Sequence, residues 1–170
     1  TGNALGVPIT GWGAGSWGSG TWGTGGTTTS PIRLWSQSNF GEDLVFAYRG
    51  GPLLYWDATT GTAVRGKIVN VTNFPTASDV PTILNFVAIS DIFRFVFAFG
   101  SNEVGSAAQD TMLIRWSDQE SVIDWTPAAT NQSGSLRVSH GTEIVMAMQA
   151  RQEMLVWTDS ALYSMQYLGA

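Results

Sequence analysis

The residues able to do proton or metal chemistry are few: one His, 13 acidic side chains and no Cys in 170 residues. His140 stands in Ser139-His140-Gly141-Thr142, a turn-like stretch. Any Ser-His-Asp set would have to use it as the base. No Gly-x-Ser-x-Gly elbow is present to offer a nucleophile, and His140 reads as a turn residue. A zinc site needs Cys or several His. The lack of Cys also excludes disulfides and thiol catalysis. Asp118, Glu120 and Asp124 lie close together in the chain, but their spacing misses the calcium-loop pattern and the Gly it demands. Glu42-Asp43 is a second acidic pair. Two carboxylates can serve a glycosidase only at a set separation in space, and these read as solvated turn acids. The sequence thus assigns no catalytic residue, no metal ligand and no cofactor, and the chain reads as a non-enzyme.

What must be positioned is therefore a framework. A phrase returns about every 50 residues, a period typical of blades and arrays: Val45-Phe46-Ala47-Tyr48, Val96-Phe97-Ala98-Phe99 and Val145-Met146-Ala147-Met148. A second apolar run ending in Trp follows each phrase, at Leu53 to Trp56, Met112 to Trp116 and Met154 to Trp157. Short β-branched and aromatic runs bounded by Gly, Asp, Asn, Ser or Pro read as strands. They predict three units of four antiparallel strands. The first has strands at 31–36, 43–48, 53–57 and 62–66. The second has them at 82–89, 93–99, 111–116 and 121–126, and the third at 135–139, 143–148, 153–157 and 161–167. The expected fold is all-β, with β-propeller-like blades. Units span about 31–66, 82–126 and 135–167 within a repeat domain of 31–170. Ala47, Ala98 and Ala147 suit close sheet-to-sheet packing, and Trp56, Trp116 and Trp157 read as plugs between blades. A closed propeller takes about 4 to 8 blades, so three units call for more chain or for partners.

Residues 1–30 differ. Half of the 20 Gly lie within residues 1–26, and the first charge is Arg33. Three pentapeptides repeat: Gly11-Trp12-Gly13-Ala14-Gly15, Ser16-Trp17-Gly18-Ser19-Gly20 and Thr21-Trp22-Gly23-Thr24-Gly25. Glycine at this density costs too much backbone entropy for a helix. The segment reads as an extended arm whose Trp12, Trp17 and Trp22 anchor a neighbour, since Trp dominates such contacts. Arg33 and Arg49 are lesser interface candidates.

Charged residues make up 12%, about half the usual ~25%. Seven of the eight basic residues are Arg and only Lys67 is Lys. Arg is enriched and Lys depleted at interfaces. The net charge of -5 offers no basic footprint for gripping nucleic acid, and no apolar run approaches the ~18 residues of a membrane span. Thr1 in place of an initiating Met reads as a processed product or part of a longer chain.

Ser117-Asp118-Gln119-Glu120-Ser121-Val122-Ile123-Asp124-Trp125-Thr126 resembles a sialidase Asp-box, a fold-stabilising turn, without its Gly and with the Asp one place early. More broadly, a run of motifs stands in a familiar order: Arg115-Trp116-Ser117-Asp118, Asp124-Trp125-Thr126-Pro127, Gly134-Ser135-Leu136-Arg137, Glu143 to Ala147, and Leu155 to Tyr163. Together they resemble the propeller region of tail proteins of tailed bacteriophages, of the hub, nozzle or DNA-stabilisation type. The resemblance covers about residues 31–168. It implies a virion building block that forms a ring, commonly a hexamer, with copies of itself and other tail proteins around the channel for DNA. It carries over no catalytic residue. The acidic balance agrees with a channel wall that does not hold DNA. The other reading is a carbohydrate-binding propeller module for host receptor recognition, using exposed Trp and Tyr.

Overall fold

The computed structural model describes residues 34–168. The Gly/Trp arm of residues 1–30, with Trp12, Trp17 and Trp22, lies outside the described residues, as does Arg33. The described chain is all-β: eleven strands in three antiparallel sheets, with one short 3₁₀ turn at Ala58–Thr60.

The first sheet is a meander of β1 (Trp35–Phe40), β2 (Asp43–Tyr48), β3 (Leu53–Trp56) and β4 (Lys67–Ile68). The β1–β2 hairpin closes with Phe40 opposite Asp43. Its turn starts at Gly41, whose φ of +70° suits a residue without a Cβ. The second sheet orders β5 (Phe86–Ile89), β6 (Val96–Phe99), β7 (Leu113–Trp116) and β8 (Gly134–Arg137). The third has three strands, β9 (Ile144–Gln149), β10 (Met154–Thr158) and β11 (Leu162–Met165).

The fourth strands depart from the sequence reading. Residues 121–126 form no strand. The Ser121 hydroxyl accepts the backbone N–H groups of Ile123 and Asp124, and Asp118 N–H bonds Asp124 O at 2.8 Å. Local side-chain acceptors thus outcompete the ladder. Gly134–Arg137, which overlaps the strand expected at 135–139 as the start of the third unit, instead closes the second sheet against β7. The third sheet is left with three strands, and Val145 to Met148 lie in its first strand rather than its second. In the first sheet, the pairing strand is Lys67–Ile68 and not 62–66.

The sheets stack in chain order, with the second in the middle. Its alternating side chains divide between two cores. Val87, Ile89, Val96 and Ala98 meet Val45, Ala47 and Leu53 of the first sheet. Phe97, Phe99 and Ile114 meet Met154 and Val156 of the third. The first strands form the seam: β5 packs against both β1 and β9. Val87 N–H donates to Ser36 Oγ at 3.0 Å, and Gly50 N–H donates to Leu84 O at 2.8 Å. Ala47 and Ala98 are both fully buried in this close contact.

Away from the seam, the first and second sheets are bridged by connecting chain. Trp125 is fully buried there, among Val122, Ile123, Phe74 and Val80. Its Nε1–H donates to Val122 O at 2.8 Å. Arg115, 1% exposed, lies beside it, with its guanidinium 5.9 Å from the Trp125 ring. It donates to the carbonyls of Asp79, Asn102 and Trp125. Burial pulls its pKa below the usual Arg value, opposed by the nearby charge of Asp79. The plug of this wedge is thus Trp125, while Trp56 alternates to the opposite face of the first sheet, with Leu44, Phe46, Tyr48 and Leu54.

Candidate functional site: a groove between the second and third sheets

The second and third sheets separate away from the seam into a groove of about 450 Å³. That size falls within the roughly 300–1,000 Å³ of small-molecule sites. Phe93, Phe95 and Phe97, from the β5–β6 connection and β6, form its aromatic side. Trp116 ends β7 on the same face as Phe97, its register partner, and is half-buried. Its Nε1–H donates to Gln132 O at 2.7 Å. A Cβ on Gly134 would stand 2.6 Å from the indole, so glycine at the start of β8 lets the ring lie on the backbone. Tyr167, after β11, packs on Phe93 and Phe95 with centroid separations of 4.8 and 5.2 Å. Its hydroxyl donates to Gln132 Oε1 at 2.8 Å. One residue, Gln132, therefore pins both rings, through its backbone and its side chain. Its own N–H is held by Asp118 Oδ1 at 2.8 Å.

The opposite wall is mixed: Gln149, Gln152, Glu153 and Gln166 stand beside Met154 and Met165, on or next to the third sheet. Hydrogen bonds from Ser164 and Gln166 hold the Glu153 carboxyl below the usual range. Among the described residues, Glu153 is the one charged residue of the lining, and Gln149 Oε1 is buried with no hydrogen-bond partner. A buried acceptor left without a donor costs about 1–3 kcal/mol.

The residues first weighed for chemistry do not gather into this groove. His140 is exposed in the β8–β9 turn, with Nδ1 3.0 Å from Ser139 Oγ and 3.2 Å from Tyr163 Oη. The Asp159 carboxylate accepts from Thr142 N–H and Oγ1 at 2.8 and 2.7 Å, which pulls its pKa below the usual range. Asp124 accepts from Ser78 Oγ at 2.8 Å, and Glu120 lies 3.8 Å from the Arg94 guanidinium. Asp43 accepts from Tyr55. Burial, and then that bond, raise the Tyr55 pKa above the usual Tyr range. These acids tie loops and strands together. No group of three or more His, Cys, Asp or Glu suited to a metal occurs among the described residues. No helix there is long and apolar enough to cross a membrane.

Of the interface candidates, Arg49 is exposed and pairs with Glu143 of the third unit at 2.8 Å. Ala147 is half-buried and packs on the second core. Trp157 lies opposite Met146, on the face of the third sheet turned away from the second. Gln132, Gln149 and Tyr167 escaped the sequence reading because the groove joins residues from both units. The one hint was Gly134 following an amide-rich run. Comparison with protein-family models, with curated proteins and with solved structures returns no match.

Proposed function

We propose that this chain is a non-enzymatic structural component of a bacteriophage tail, of hub or nozzle type. In this reading the three sheets are propeller-like blades, an arc of a ring around the DNA channel, completed by copies of the same chain. The observation that carries the reading is the chemistry of the two end faces. The outer face of the first sheet bears Trp35, Phe46, Tyr48, Leu54 and Trp56, with Trp35 56% exposed and the other four half-buried, Phe46 and Trp56 in part beneath the chain at Val64 and Gly66. The outer face of the third bears Met146, Met148, Leu155, Trp157 and Leu162, with both methionines and Leu162 half or more exposed. A contiguous exposed apolar patch marks an interaction surface. Aromatic rings facing thioethers make a favourable pair, and a head-to-tail contact between unlike faces generates rings. The net charge of -5 supports a wall that lets DNA pass. The test is native mass spectrometry of the chain and of particles that carry it. A symmetric ring is expected, reduced to monomer by Phe46→Glu or Trp157→Glu. A monomer at all concentrations, absent from particles, overturns the reading.

A further inference from the structure

We propose that the groove between the second and third sheets binds a neutral oligosaccharide. This does not depend on ring assembly. The two sides of the groove match the two sides of a sugar ring. Its C–H face packs on aromatic carbon, and its hydroxyls both donate and accept. Trp116 and Tyr167 supply aromatic surface, and Gln132 fixes both before any ligand arrives. Pre-fixed rings reduce the ordering cost of binding.

The facing wall sets the side-chain amides of Gln149, Gln152 and Gln166 among Met154 and Met165, and an amide can donate and accept at once, as hydroxyl recognition requires. Gln149 Oε1 has no donor among the described residues, and a hydroxyl seated against this side chain supplies one. Charge narrows the class. Among the described residues the lining contains no Lys or Arg, and its single charge is the Glu153 carboxylate. Phosphorylated, sulfated or sialylated ligands meet repulsion without a compensating cation. A wholly apolar ligand leaves Gln149 Oε1 without a donor.

The experiment uses the full chain on a printed array of neutral and acidic oligosaccharides. Titration calorimetry follows with the strongest neutral glycan. Binding to neutral glycans is expected, with little to sialylated or sulfated ones. Leu136→Trp places an indole at the mouth of the groove from an exposed site and is expected to weaken binding at least tenfold. Gln149→Leu is expected to weaken it about tenfold while leaving Tm equal or higher, because it removes an unpaired buried acceptor. A merely structural Gln149 would lower Tm instead. Val104→Ser, in the loop between β6 and β7, is expected to bind like the parent chain. If Leu136→Trp fails to fold, Gln149→Leu carries the test. Absence of neutral-glycan binding, a preference for acidic glycans, or unchanged affinity in both groove variants overturns the proposal. Ring formation by Phe46→Glu and Trp157→Glu is read separately, so either proposal can fail alone.

Discussion

The wedge between the first and second sheets is closed by its own connecting chain, whereas the wedge between the second and third stays an accessible groove. In the first, Trp125 and Arg115 are buried side by side, and the indole N–H and both terminal guanidinium nitrogens find carbonyls. In the second, Trp116 keeps part of its surface, Tyr167 is exposed, and Gln149 keeps an unpaired oxygen. Both wedges use an indole N–H bonded to a nearby carbonyl. The difference lies in what else is brought in. The loops at 69–81 and 117–126 meet at the parallel bridge Ser78–Asp124 and insert Val80, Val122 and Trp125. Among the described residues, the short connections around the third sheet insert no fully buried Trp. A filled wedge supports the fold, and an unfilled one is available for recognition.

The contrast breaks most visibly at Trp125. Trp125→Ala removes a fully buried indole, and a loss of about 3–5 kcal/mol is expected. Trp116→Ala should cost distinctly less in the same thermal or urea unfolding assay. Equal losses would mean that the two wedges bear the fold alike. Arg115→Met comes next. It keeps apolar volume but withdraws the donor shared by Asp79, Asn102 and Trp125 carbonyls, for an expected loss of roughly 2–3 kcal/mol. A neutral or stabilised Arg115→Met, by denaturant midpoint, would show that packing alone fills the first wedge.

The smallest effect sharpens the comparison at the far end, where the β9–β10 sheet is tied to its turn. Asp159 has a lowered folded pKa because Thr142 donates to it. Its stabilisation is therefore fully present above the unfolded value of about 3.9. It fades as pH falls through the lower folded value. Asp159→Asn should flatten the fall in Tm below about pH 4 and leave its slope near neutrality unchanged. An unaltered acid limb would assign that fall to other carboxylates.

The same phrase met three different fates. Val96 to Phe99 is buried on both faces, as its continuous apolar run implies. Val45 to Tyr48 is fully buried only at Val45 and Ala47, and Met146 and Met148 stay exposed. The phrase marks a strand in each case, but it does not tell how many neighbours that strand has. Likewise Gly134 to Arg137 read as a strand from its residues, yet its partner was decided by distance. It lies against β7, which an alternation pattern cannot encode. The run 121–126 had strand composition, but Ser121 and Asp118 captured its backbone groups. The groove was illegible because Phe97, Gln132, Gln149 and Tyr167 come from separate stretches of the chain.

The sequence by itself determined the all-β class, most strand positions and the apolar character of each strand, because side-chain alternation and turn residues act over a few neighbours. Tertiary structure alone decided which strand closes which sheet, which Trp fills a wedge and where a groove remains. Those outcomes depend on volume and hydrogen-bond partners that converge only when distant segments pack together.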